Sequence, residues 1–237
     1  MSLLSPGEIG ERRQEILGKV ARAAERAGRD PADVTLLAVT KTHPPDMVRN
    51  AVQAGLSLFG ENRVAEGIEK IATLRGALPD LTWRLIGPLQ TNKAKAALQY
   101  FQVVESMDRE RLAVRLEALL AAEERTLPVL LEVNLEAEVT KSGARPEDID
   151  GLARICLGLP HLIVRGLMAV PPFSSDPEDA RPHFRRLREI RDDLAQRFGR
   201  PLPELSMGMS GDFEVAVEEG STEVRLGTAL FGPREAA

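Results

Sequence analysis

Lys41 closes the apolar run LLAVT. A lysine whose stem is enclosed by such a run loses hydration at its ammonium. That loss, with cations nearby, lowers its pKa and leaves a neutral amine able to form an imine with a carbonyl compound. The competing reading is a lysine that snorkels to solvent. A second kind of chemistry is suggested by Ser210-Gly211-Asp212 and by Gly227-Thr228, where small residues precede segments that read as helix starts. Backbone N–H groups at a helix N-terminus, with the positive end of its dipole, suit a phosphate dianion without requiring many cations. One such pair is an ordinary turn and cap. Two after successive strands make a phosphate cradle a competing reading.

These residues need elements to position them, and the period of the sequence supplies eight. Short runs rich in Val, Leu and Ile cover 34–40, 56–60, 82–86, 103–106, 129–134, 163–169, 204–207 and 223–226, and they alternate with stretches of helical period. Eight such units predict an α/β fold, a (β/α)8 barrel over 34–233, preceded by an extra helix over about 6–27 that Ser5 and Pro6 would start. The whole chain, 1–237, reads as a single domain, with residues 1–30 carrying that helix. Asp108 reads as the cap of a helix bearing Leu112, Leu116, Leu119 and Leu120, and Pro146 and Pro177 read as openers of later ones. Pro182 blurs the start of the helix from Pro177, and Gly199 reads as its C-cap. The segment VPPFSSDPE is a surface connection by default, with a lid as the alternative.

In such barrels the strand C-termini form the functional face. Polar segments follow there: Thr40-Lys41-Thr42-His43, Gly60-Glu61-Asn62-Arg63, Gly87 to Lys93, Asn134, Ser206 to Asp212, and Arg225 to Thr228. Barrel closure would set strand one beside strand eight, bringing Lys41 to Arg225 and the Gly227-Thr228 turn. A phosphorylated aldehyde would span both, and pyridoxal 5'-phosphate (PLP) is the common ligand of that description. A lysine-dependent aldolase acting on a phosphosugar would use the same groups without the cofactor.

Composition narrows the alternatives. A formal net charge of −5 with a pI near 5.4 opposes a broad nucleic-acid footprint. No window approaches the ~18 apolar residues of a membrane span, and the N-terminus lacks the apolar stretch of a signal peptide, so a cytoplasmic location is expected. The one cysteine, Cys156, lies in the apolar run LARICLGL and reads as a buried helical residue. A second acid or base for enzyme chemistry is hard to find: Tyr100 falls near the start of strand four, His161 begins strand six, and His183 is in an outer helix. Only His43 lies near the active face.

The motifs AVTKTHP, FGENRVAEG, WRLIGPLQTNK, VNLEAEVTKSG, RGLMAVPP and LSMGMSGDFEVAVEEGSTEVRLGTALFG together resemble the pyridoxal phosphate homeostasis protein family, the YggS/PROSC type. The resemblance runs from about residue 34 to 233, in order and spacing. It implies the barrel fold of the alanine racemase N-terminal domain, with PLP held as an imine on Lys41. It also implies phosphate donors at Ser210, Gly227 and Thr228, with Ser206 a weaker candidate. Arg225 would face the pyridine nitrogen, Asn62 would line the cofactor, and Met168 would pack on its ring. Arg63 departs from the family, where many members carry Tyr. The function so implied is intracellular PLP (vitamin B6) homeostasis, as carrier, buffer or regulator without substantial catalysis, in a monomer or weak dimer. Apo PLP-dependent enzymes are the expected partners. A slow PLP-dependent amino-acid racemase is the alternative, although racemases complete their sites with a second domain and this chain ends soon after strand eight.

Overall fold

Ser5 and Pro6 start the first helix as their residue types require. In the computed structural model the Ser5 hydroxyl accepts from the Glu8 N–H and the Glu8 carboxylate accepts from the Ser5 N–H, with Pro6 in the first turn. The structure describes residues 3–136 and 142–233. Helix α1 (Pro6–Arg26) buries Ile9, Ile16, Val20, Ala23 and Ala24, one stripe at helical spacing, against the outside of the barrel.

Eight parallel strands follow: β1 (Thr35–Val39), β2 (Leu58–Glu61), β3 (Thr82–Leu85), β4 (Val103–Met107), β5 (Leu127–Glu132), β6 (Leu162–Met168), β7 (Glu204–Ser206) and β8 (Glu223–Leu226). They close in sequence order, and β1 meets β8 in the register Thr35↔Glu223 through Ala38↔Leu226. The outer layer is α2 (Pro45–Gln53), α3 (Val64–Leu74), α4 (Ala94–Ala97), α5 (Glu110–Ala122), α6 (Ile149–Gly158), α7 (Arg181–Phe198), α8 (Phe213–Glu218) and α9 (Thr228–Phe231). The expected (β/α)8 barrel with an extra N-terminal helix is the fold observed.

Several expected boundaries move, for local reasons. Leu56 still closes the end of α2 through its N–H to the Ala51 carbonyl, so β2 begins later. Val133 still donates to the Met168 carbonyl of β6 but bridges to Ala144, and Asn134 donates to the Ala144 carbonyl, so β5 ends before them. Asp108 is not a cap: Arg109 takes that position, without a side-chain bond, and Asp108 pairs with the Arg109 guanidinium instead. Pro146 precedes a turn, and α6 starts at Ile149. Pro177 opens a short 3-10 turn over Pro177–Ala180, and α7 begins at Arg181, with Pro182 in its first turn where a missing N–H has no partner to lose. Gly199 ends α7 at φ 60, as its position suggests.

The apolar core lies between strands and helices. Leu112, Leu116 and Leu120 of α5 and Phe184, Leu187 and Leu194 of α7 are completely buried there. The barrel axis is different. Arg84 of β3 bonds Glu204 of β7 at 2.9 Å, and these strands are not neighbours, so the bond crosses the interior. Glu105, Glu132, Ser206, Glu223 and Arg225 are buried beside them.

Candidate functional site

One cavity of about 400 Å³ opens among the residues that follow the strand C-termini. Lys41 comes to it from β1, Asn62 from β2, Ser210, Gly211 and Asp212 from β7, and Arg225, Gly227 and Thr228 from β8. Its size falls within the range of small-molecule sites. Lys41, Asn62, Ser210, Arg225, Gly227 and Thr228 are therefore gathered at one place. Two other expected residues are not among its lining: Met168 and Ser206 are completely buried. Ser206 lies under Arg225, whose Nη1 donates to its hydroxyl at 2.7 Å, and is thus placed to hold that arginine rather than to reach a phosphate.

The segment 170–177 is more than a connection. Val170, Pro172, Phe173, Ser174, Asp176 and Pro177 form one wall of the cavity. The Ser174 hydroxyl donates to Asp179 at 2.6 Å and Asp176 accepts from the Glu178 N–H at 2.9 Å, which ties the loop locally. Phe173 stands 96% exposed on this wall.

The backbone that presents Lys41 is a tight turn. The His43 N–H donates to the Thr40 carbonyl at 3.0 Å, and Thr42, the third residue of the turn, has φ 69. A β-branched residue in the left-handed region is strained by about 1–3 kcal/mol and persists only where its surroundings hold it. Here Glu66 accepts the Thr42 N–H at 2.5 Å, and Lys70 reaches the Thr40 carbonyl at 2.6 Å. Lys70 also meets Glu61 at 2.5 Å, and the Thr40 hydroxyl donates to the same carboxylate at 2.7 Å. Burial pushes the Glu61 carboxyl above its usual range, against the pull of Lys70. Asn62 is seated by a close approach: a Cβ on Gly87 would lie 2.0 Å from its carbonyl oxygen and 2.4 Å from its Oδ1.

On the β8 side, Arg225 is 4% exposed, and its Nη2 donates to the Ala169 carbonyl at 2.8 Å. The Ser210 hydroxyl accepts the Ala229 N–H at 3.0 Å, binding the loop after β7 to the start of α9. A Cβ at Gly211 would meet nothing within 4 Å, so the backbone there borders open space. Glu132, another buried acid of the interior, accepts from the Ser142 hydroxyl at 2.6 Å, while its Oε2 has no hydrogen-bond partner among the described residues. Burial raises its pKa to about 7, with Ser142 opposing and Asp108 reinforcing that rise.

The remaining candidates lie elsewhere. The His43 ring packs on Phe231 at 5.1 Å, outside the cavity lining, and Arg63 is exposed at the start of α3. Tyr100 lies under Arg75 before β4, His161 bonds Glu117 before β6, and His183 lies on α7. Cys156 is completely buried, its thiol pushed up to about 12 by burial. Lys141 lies outside the described residues, as does all of 137–141 within VNLEAEVTKSG. Among the described residues no three His, Cys, Asp or Glu side chains are grouped to hold a metal, and no helix is long and apolar enough to cross a membrane. Glu66, Lys70, Glu105, Glu132 and Glu223 escape a reading of single motifs. The available signal was phase: Lys70 falls on the buried stripe of α3 with Gly67, Ile71 and Leu74.

The chain is similar to known proteins over nearly all of its length. The family described as "Alanine racemase, N-terminal domain" matches residues 13–235. The pyridoxal phosphate homeostasis protein of Aquifex aeolicus is 45% identical over 225 residues, 95% of this chain and 98% of that protein. The protein of the same name from Pseudomonas aeruginosa is 46% identical over 227 residues, 96% of each. The structure of PipY from Synechococcus elongatus PCC7942 with PLP bound superposes with a TM-score of 0.83 at 37% identity, covering 94% of this chain and all of that one.

Proposed function

The chain belongs to the pyridoxal phosphate homeostasis protein family, and from that membership we propose that it binds PLP covalently through Lys41 and serves to hold and supply the cofactor rather than to turn over substrate. The observation that carries this reading is the convergence of Lys41, Arg225 and the small residues Ser210, Gly211, Gly227 and Thr228 on one cavity. When bound, PLP supplies an aldehyde for the lysine amine and, in enzymes, an electron sink. Lys41 is the attaching amine, held in place by the Glu66–Lys70 clamp on its turn. Ser210, Gly227 and Thr228 would receive the phosphate, and Asn62 would flank the ring. Arg225 would face the ring nitrogen. A guanidinium only donates, so it opposes protonation of that nitrogen and weakens the sink.

The carrier reading is favoured over the racemase alternative by what borders the cavity. Its acids are Asp176 and Asp212, and Asp212 is engaged by the Met209 N–H at 2.6 Å. General acid–base assistance contributes ~10²–10⁴-fold, and among the described residues that line the cavity no His, Tyr or Glu stands as a second base to supply it. The acceptors would be apo PLP-dependent enzymes, in a reducing cytoplasm.

Borohydride reduction of the cofactor-loaded protein followed by peptide mass mapping tests the attachment. The expected adduct sits on Lys41 and is absent from Lys41→Ala. An adduct on Lys93 or Lys141 instead would overturn the assignment. The functional half is tested by a panel of L- and D-amino acids and by reactivation of a PLP-stripped transaminase. Turnover in the ordinary enzyme range of ~1–10³ s⁻¹ would promote the racemase reading.

A further inference from the structure

The Ser206 hydroxyl stands within hydrogen-bonding distance of three groups. Arg225 Nη1 is 2.7 Å away, Glu105 Oε2 2.6 Å and Glu223 Oε1 2.9 Å. A hydroxyl has one proton to give and two lone pairs to receive. Arginine only donates and so occupies one lone pair. Two ionised carboxylates would then compete for a single proton, and one contact would be left repulsive. All three are satisfied together only if one carboxyl is itself an acid that donates to the second lone pair.

The surroundings say which one. Both oxygens of Glu105 accept hydrogen bonds, Oε2 from Ser206 and Oε1 from Arg84 at 3.4 Å. Glu223 has Oε1 at the Ser206 hydroxyl, while its buried Oε2 lies 3.1 Å from Arg84 Nη1 as an ion pair and, among the described residues, without hydrogen-bond geometry. A negative charge is better solvated on Glu105, and the shorter contact is the one expected for a hydroxyl donating to a carboxylate. Glu223 is faced by Arg84 from β3, Glu105 from β4, Glu204 from β7 and Arg225 of its own strand, with Arg29 and Asp33 bordering the opening on that side. Burial first, and the Glu105 charge second, hold its carboxyl well above the ordinary range, with Arg84 opposing.

We propose that Glu223 is a protonated carboxylic acid in the folded protein at neutral pH, and that through Ser206 it positions Arg225 against the cofactor ring. The consequence is electrostatic. A neutral Glu223 removes one negative charge from beside Arg84 and from the Ser206 hydroxyl that holds Arg225. Less negative charge below the ring disfavours protonation of the ring nitrogen, in the same direction as Arg225 itself. The inference rests on the PLP reading for what lies above Arg225, whereas the proton on Glu223 rests on the hydrogen bonds of Ser206 and on burial.

The test begins with cofactor-free protein, so that it stands apart from PLP binding. Infrared spectra at pH 7 in H₂O and D₂O are compared between parent and Glu223→Gln, both in a Glu132→Gln background because that second acid also titrates near neutrality. The expected result is loss of a deuterium-sensitive carboxylic acid band in Glu223→Gln; an unchanged acid band overturns the proposal. PLP affinity gives the second readout. Glutamine can donate to Ser206 as the acid does, so Glu223→Gln should bind PLP at least about tenfold more tightly than Glu223→Ala or Glu105→Gln. Equal losses in Glu223→Gln and Glu223→Ala would overturn the positioning role, and if Glu105→Gln does not fold, that comparison and the infrared difference decide. Failure of the Lys41 adduct would defeat the PLP reading and leave the infrared result standing.

Discussion

Replacing Glu132 by Gln should stabilise the cofactor-free protein at alkaline pH and do little at pH 5. Glu132 is 6% exposed, with one oxygen accepting from Ser142 and the other without a hydrogen-bond partner among the described residues. Its folded-state pKa is raised from 4.5 to about 7 by burial. The native state therefore holds a proton that the unfolded chain releases at lower pH. Stability is fully present below about pH 4.5 and falls as pH rises through about 7, because there the native state binds more protons than the unfolded one. The full shift corresponds to about 3 kcal/mol, an upper figure because structural relaxation reduces it. Glutamine reproduces the protonated form: its carbonyl accepts from Ser142, and it cannot ionise. The two proteins should lie within about 1 kcal/mol at pH 5, with the variant ahead by up to about 3 kcal/mol at pH 8. In a chain of this size that is roughly 5–10 °C in melting temperature. Thermal unfolding from pH 5 to 9 at fixed ionic strength measures it, with PLP removed so that binding does not add its own linkage. Parallel pH curves, or a variant less stable at pH 8, would refute the reasoning and show that Glu132 is ionised in the native barrel.

Arg225→Gln should weaken PLP binding by about ten- to hundredfold, the worth of a buried hydrogen bond from a charged donor, and should alter the absorption spectrum; unchanged affinity and spectrum would remove Arg225 from the site. Glu66→Ala removes the acceptor for the Thr42 N–H and should lower PLP affinity by roughly tenfold while the melting temperature falls little, as equilibrium titration and a thermal scan would show. Lys70→Met leaves Glu61 buried without its partner and should cost about 3 kcal/mol in urea unfolding at pH 8, but less at pH 5, where the raised carboxyl can take a proton. Gly87→Ala should destabilise by about 1–3 kcal/mol and weaken PLP binding, since its Cβ would meet Asn62 backbone at 2.0 Å; a variant matching the parent in both would show that the β2 and β3 ends shift freely.

The strands and the residues at their ends were legible because both are local. An apolar run such as LLAVT announces a strand, and a polar residue at its end announces the barrel mouth, so Lys41, Asn62, Ser210, Arg225, Gly227 and Thr228 fall together. Met168 and Ser206 were displaced because a strand's alternation says which residues share a face but not how deep each lies. Met168 lies two residues before Val170, which does line the cavity, and Ser206 lies four before Ser210. The polar axis was not legible, since a charged residue in a sequence reads as solvent-exposed until closure brings distant strands together. A trace of it was present: Glu105 and Glu132 interrupt apolar strands, and Glu223 and Arg225 alternate with Val224 and Leu226 on one face of β8. Thr42 illustrates the other limit. Nothing in TKTHP requires a left-handed threonine, and only the acceptor at Glu66 and the donor at Lys70, from a helix after the next strand, account for it.

The placement of these costs follows from what a cofactor holder must do. The apolar layer between strands and helices is remote from the cavity, and it can supply the fold's stability whatever occupies the mouth. Around the mouth and the axis beneath it, the structure carries a strained turn, a buried lysine with two glutamates, and acids raised by burial. Each is an unfavourable local term that the outer core must offset, and the turn with its clamp and the Glu223–Ser206 contact stand behind Lys41 and Arg225. A site kept ordered in this way loses little conformational freedom on binding, so more of the contact energy appears as affinity. It also need not reorganise on release. Both properties would serve the proposed role of holding and supplying PLP, and Lys41 and Arg225 are the groups that the surrounding contacts fix, the first through its turn and the second through Ser206 and the Ala169 carbonyl.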